Sequence, residues 1–195
     1  MARTIILSAA HGKNVSGKQS PDGRFKEYQF SRRLQRLIQA GLHEMNVPCI
    51  LIPPNDIEPG LWERVKIENT ISGPAFVFPL HVNAAGNGRD WKTARGVEIW
   101  TSKGQTKSDE FATIILEDLQ KAFPEIKHWR TDKWSDGDVD KECNFTELMS
   151  IHPAALLEWC FQDNKLDLEE FLENEIMIVR LAGTLINTLT KISIL

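Results

Sequence analysis

Apolar and polar positions alternate along this chain in two different periods, and the switches between them mark its elements. Thr4–Ala10 is a compact, mostly apolar run, closed by a Gly-, Asn- and Ser-rich loop from Gly12 to Gly23 that contains Pro21-Asp22-Gly23. That pattern predicts a first strand and a turn. Phe30, Leu34, Leu37, Ile38, Leu42 and Met45 then recur largely at steps of three and four, which puts one apolar stripe on a helix. Val47–Ile52 predicts a second strand, stopped by Pro53-Pro54. Leu61–Asn69 reads as a short helix, Ala75–Leu80 as a third strand, and Val97–Thr101 as a fourth after the Gly86-Asn87-Gly88 loop. Phe111, Ile114, Ile115, Leu119 and Ala122 give another amphipathic helix, which Pro124 ends. From Glu125 to Met149 the periodicity fails, in a polar, acidic stretch that holds Trp129 and Trp134. Pro153–Trp159 then reads as a buried strand and Leu168–Leu189 as a long helix.

Strands separated by helices at this spacing pair in parallel, with helices on both faces of one sheet. The expectation is an α/β fold: a mostly parallel, twisted sheet of about six strands in a single domain spanning 1–195, with no separate second domain. A chain of 195 residues buries roughly 70% of its unfolded surface, so it needs no disulfide to hold it.

Composition narrows the partners. The 23 Lys+Arg against 27 Asp+Glu leave a net charge of −4, which speaks against a nucleic-acid partner. No uninterrupted apolar run approaches the ~18 residues that would span a bilayer, so membrane insertion is not expected. Cys49, Cys143 and Cys160 are odd in number and scattered, as reduced thiols would be. Ile5–Ala10 is shorter than the ~7–15-residue core of a signal peptide, so the product is expected to be cytoplasmic as synthesised.

The chemistry gathers where a parallel sheet puts it, just past the carboxyl ends of strands. His11 follows the first strand, His81 follows Ala75–Leu80, and Glu158 ends the apolar run Pro153-Ala154-Ala155-Leu156-Leu157. Glu27 opens the first helix, 16 residues of mostly loop beyond His11. Each has an ordinary structural reading: a histidine after a strand often caps a loop, and a first-turn glutamate suits the helix dipole. Together, two histidines and one carboxylate make a catalytic zinc set with an open fourth position, and a second carboxylate beside it can move protons. On these grounds alone, Glu27 and Glu158 divide the two roles in either order.

The same residues carry a family resemblance. Thr4-Ile5-Ile6-Leu7-Ser8-Ala9-Ala10-His11-Gly12 resembles the opening strand and His-Gly of zinc-dependent N-acetylmuramoyl-L-alanine amidases. Gly23 with Glu27, Leu61-Trp62-Glu63-Arg64 with Asn69, Leu80-His81-Val82-Asn83-Ala84, and Gly96-Val97-Glu98-Ile99-Trp100 are similar, in order, to its further motifs. Pro153-Ala154-Ala155-Leu156-Leu157-Glu158 with Phe161 and Asn164 resembles the segment holding its catalytic glutamate. The chain departs from the family at Ser8-Ala9-Ala10 and at Pro79-Leu80, next to the groups that fix histidine orientation.

The resemblance implies that His11, Glu27 and His81 bind Zn2+ and that Glu158 handles the proton. The reaction would be hydrolysis of the amide between N-acetylmuramic acid and L-alanine in peptidoglycan. With too short an apolar run at its start for a signal peptide and no wall-binding repeats, the chain is further expected to be a monomeric phage or prophage lysin that reaches the cell wall after release by a membrane-permeabilising protein. Two other readings stand beside it: a zinc peptidase or deacylase for another amide, and an inactive wall-binding domain. Asp136, Asp138, Asp140 and Glu147 fall at positions 1, 3, 5 and 12 of a calcium loop, but Lys141 stands where that loop needs glycine, so the stretch reads as a solvated acidic loop. The 125–149 segment is expected to border the substrate groove, with Trp129 and Trp134 either as flat faces for sugar rings or packed beneath the loop.

Overall fold

The structure, a computed structural model, describes residues 2–53, 55–133 and 137–195. Trp134 and Asp136 therefore lie outside the described residues. Six strands form one sheet: β1 (Thr4–Ala9), β2 (Cys49–Ile52), β3 (Ala75–Asn83), β4 (Glu98–Thr101), β5 (Lys141–Glu142) and β6 (Leu156–Phe161). Their order is β2-β1-β3-β6-β4-β5. All neighbours pair in parallel except β4 and β6, which run antiparallel. The α/β expectation holds, with that one reversal.

Among the described residues, the helices that accompany the sheet are α1 (Glu27–Glu44), α2 (Leu61–Glu68), α3 (Lys107–Ala122), the short α4 (Lys165–Asp167) and α5 (Glu175–Ser193). The strands sort their side chains by the two-residue period. Ile5, Leu7, Phe76, Phe78 and Leu80 face one side, into a large core with the buried stripes of α1, α3 and α5. Ile6, Ile52, Val77 and Leu156 face the other, into a much smaller cluster that Leu148 helps close.

Several boundaries move. Met45 caps the end of α1 and is exposed, so the stripe stops at Leu42. The last strand begins at Leu156 and runs past Trp159 to Phe161. The predicted Leu168–Leu189 helix is divided into a π-helical turn, Leu168–Leu172, and α5. The side chain of Asn174 accepts from the backbone N–H groups of Ile176 and Met177 and caps α5 there. Apolar residues continue across that cap, so periodicity alone does not show it. α5 is long and apolar enough to cross a bilayer, yet Ile178, Leu181, Leu185, Leu189 and Ile192 are buried in the large core.

Between β3 and β6 the register changes from His81 opposite Glu158 to Asn83 opposite Phe161, one extra residue on β6. Cys160 sits in this bulge, buried and at φ 63. Such bulges re-aim side chains beside sites.

Candidate metal centre and active site

β1 has β2 on one side and β3 on the other. The connections from β1 thus diverge, and the ends of β1 and β3 form the switch point where doubly wound sheets open a crevice. His11 lies just past β1 and His81 near the end of β3, so the two straddle that point. Their rings meet edge to face with centroids 5.4 Å apart. Glu27, from the first turn of α1, is 1% exposed and lies between them. Its Oε2 is 3.6 Å from Nε2 of His11 and its Oε1 is 3.4 Å from Nδ1 of His81. The backbone N–H of Val82 donates to Glu27 Oε1 at 3.0 Å and holds the carboxylate in that position. One ligand atom from each of His11, Glu27 and His81 lies within 4.8 Å of the others, a spacing that one metal ion bridges.

Glycine follows His11 for a steric reason. A Cβ on Gly12 would lie 2.4 Å from the backbone nitrogen of Glu58, so any side chain would push away the segment that brings Glu58 to the site.

Glu158 stands opposite His81 in the register on one side and opposite Glu98 on the other. Its Oε2 is buried without a hydrogen-bond partner. Burial pushes its pKa up to about 8; His81 opposes this, while Glu27, Glu98 and Glu147 add to it. Burial also lowers His11, with Glu27 pulling the other way. His81 and Glu27 resist burial instead. Burial alone would lower His81, but Glu147 and Glu27 raise it well above the ordinary value. Burial alone would raise Glu27, but the two histidines and the Val82 N–H keep it low.

These four residues line a cleft of about 520 Å³ together with Phe145 and Glu147. The 125–149 segment therefore does border the crevice, through its last residues Asn144 to Glu147. Trp129 does not act as a platform there: its Nε1 donates to the carbonyl of Ile126 at 3.0 Å and the ring packs on the large core.

Sequence reasoning missed Glu147 in this role. It opens no periodic pattern, and its only visible feature was position 12 of the discounted calcium loop. In the structure it turns the other way, from a 3₁₀ turn (Thr146–Leu148) into the crevice, where its Oε2 is 3.0 Å from His81 Nε2. Asp138 and Asp140 instead approach Asp109, and Thr101 Oγ1 bonds both Asp109 and Asp140.

The family model for N-acetylmuramoyl-L-alanine amidase matches residues 5–191. The chain belongs to that family. Membership makes it an enzyme, an amide hydrolase of peptidoglycan. Solved structures agree in fold. The catalytic domain of CwlV, an N-acetylmuramoyl-L-alanine amidase from Bacillus (Paenibacillus) polymyxa var. colistinus, has a TM-score of 0.78 at 20% identity, over 97% of both chains. AmiC2 of Nostoc punctiforme gives 0.80 at 18% identity, over 97% of this chain and 96% of its own. The catalytic domain of the CD27L endolysin targeting Clostridia Difficile gives 0.64 at 20%, over 95% and 97%. No curated protein matches.

Proposed function

We propose that this amidase is zinc-dependent and that it cleaves the amide joining the lactyl group of N-acetylmuramic acid to L-alanine. The observation that carries the reading is the donor set. His11 Nε2, Glu27 and His81 Nδ1 face one another, while the remaining ring nitrogens face Glu58 and Glu147. Two imidazoles and one carboxylate, all close to a single point, fit a catalytic zinc ion better than calcium or magnesium, which favour all-oxygen sets. When bound, zinc supplies Lewis acidity and a water of near-neutral pKa.

The chain's own residues do the rest. Glu158, beside His81 and lacking a partner for Oε2, takes a proton from the attacking water and returns one to the leaving nitrogen. Its apolar neighbours Leu157 and Trp159 are buried and keep bulk water from its back. We further propose a lysin setting, with synthesis in the cytoplasm and action on the wall after release. Its test is whether the protein lyses cells only when added from outside or when coexpressed with a membrane-permeabilising partner.

The purified protein is expected to hold about one zinc ion and to lose activity on chelation. His11→Ala and His81→Ala should each abolish metal binding and turnover; full metal occupancy in either variant refutes the ligand set. Glu158→Gln should keep the metal and lose 10²–10⁴-fold in rate, the usual worth of positioned proton transfer. Zinc content and mass analysis of digested peptidoglycan, on one preparation, check both. Products with a new L-alanine amino terminus support the bond assignment, and cleavage elsewhere in the peptide favours a peptidase.

A further inference from the structure

Arg64 is fully buried, on α2, and touches neither the cleft nor the proposed metal position. A guanidinium in such a place needs partners for its donors; Nε has none here, and the partners of the two terminal nitrogens are informative. Nη1 donates to Glu147 Oε1 at 3.0 Å and to the carbonyl of Ala9, at the end of β1, at 2.8 Å. Nη2 donates to Glu58 Oε1 at 3.1 Å. Each of these carboxylates faces the outer nitrogen of one histidine: Glu147 Oε2 is 3.0 Å from His81 Nε2, and Glu58 Oε1 is 3.5 Å from His11 Nδ1. One arginine thus reaches both histidines, through one carboxylate each, from two segments 89 residues apart in sequence (147 − 58).

A histidine binds a metal only through a nitrogen that carries no proton. The proton must sit on the other nitrogen, and an acceptor there fixes both the tautomer and the ring orientation. Here the nitrogens turned toward Glu27 are His11 Nε2 and His81 Nδ1, different atoms of the two rings. Two histidines must therefore be held in opposite tautomers within one small site. We propose that Arg64 is the positioning residue that does this, by fixing the Glu58 and Glu147 carboxylates against His11 and His81. The proposal rests on the metal-site reading above and extends it to residues that never touch the metal.

The fork matters as much as the charge. Arg64 spreads two nitrogens between two carboxylates, which a lysine ammonium cannot match. Glu147 likewise uses both oxygens, one for Arg64 and one for His81. Gln at that position has one acceptor oxygen and would turn an N–H toward one of two donors.

The test measures zinc affinity by competition with a chromophoric chelator, thermal stability of the metal-free protein, and histidine tautomers by ¹⁵N NMR. Glu147→Gln should weaken zinc binding 10–100-fold, the usual effect of losing such an outer partner, and disturb the His81 tautomer alone. Glu58→Gln should act on His11 alone and more weakly, in keeping with its longer approach. Arg64→Lys should disturb both rings. Zinc affinity within twofold of wild type in Glu147→Gln and Arg64→Lys, or unchanged tautomers, overturns the proposal. So does a loss of affinity no larger than the loss of metal-free stability accounts for. If Arg64→Lys does not fold, the Glu58→Gln and Glu147→Gln double variant decides in its place. Wild type that binds no zinc refutes the metal-site reading itself, a result distinct from tight wild-type binding with indifferent variants.

Discussion

The two faces of the sheet are built on different principles. On the face of α1, α3 and α5, a large apolar cluster fills the interior, with aromatic pairs such as Phe76 and Phe111, ring centroids 5.1 Å apart. The buried polar side chains of α1, Glu27, Ser31, Arg32 and Gln35, lie in the first half of that helix. On the face of α2 and the 3₁₀ turn, a small apolar cluster shares the interior with Arg64, Glu68 and Glu147, all buried. Burial of apolar surface stabilises the first face without directional demands. The second face contains charges that are stable only when each meets a partner. The difference assigns work to each layer: one face holds the sheet together, and the other holds the groups at its edge in register with one another.

β1 offers a controlled way to break that comparison, since Ile5 and Ile6 are neighbours, both fully buried, and point to opposite faces. Truncation to alanine removes the same atoms from each. Ile5→Ala opens a cavity in a close-packed core and should cost about 4 kcal/mol, near the upper part of the range for such changes. Ile6→Ala lies in a cluster with half-buried Ile50, Ile71 and Trp100 at its margin, which can close in, and should cost about 2 kcal/mol. Denaturant midpoints of the two variants measure this. An Ile6→Ala cost equal to or above that of Ile5→Ala contradicts the claim that the large core dominates.

The same division explains what the sequence discloses. The large core is legible because its residues repeat with helix and strand periods. His11, His81 and Glu158 are legible because they interrupt or end apolar strands, and Glu27 because it opens a helix after a loop. Arg64 appears in the sequence only as part of a family-like helix motif, without a role. Glu58 and Glu147 come from a loop and a 3₁₀ turn, where no period distinguishes a working carboxylate from a solvated one. Their function depends on Arg64, and that relation exists only once β1, α2 and the 3₁₀ turn have come together. The division at Asn174 was hidden for a related reason, since a single side-chain cap overrides an apolar pattern that continues through it.

Glu68 sharpens the comparison from the other side, because it is a charge on the polar face that does not meet a partner. It ends α2, is fully buried, and neither carboxylate oxygen has a hydrogen bond. Burial and the nearby Glu147 push its pKa up to about 7, against the pull of Arg64. The folded protein therefore holds this proton more tightly than the unfolded chain, whose carboxyl keeps its ordinary value near 4.5. The contribution to stability is complete below that ordinary value and is lost as pH rises through 7. Each pKa unit is worth ~1.4 kcal/mol, so wild type should lose about 2–3 kcal/mol from this group between pH 5 and pH 8. Glu68→Gln has no proton to lose and should escape that part of the decline. Glu158 and Asp140 also have raised pKa values and titrate over the same range, but they do so in both proteins and cancel in the difference. At roughly 2–4 °C per kcal/mol for a chain of this size, the gap between the two Tm curves should widen by about 5–10 °C from pH 5 to pH 8. Curves that stay parallel would mean that Glu68 finds a partner when charged, and the polar face would then be as fully satisfied as the apolar one is packed.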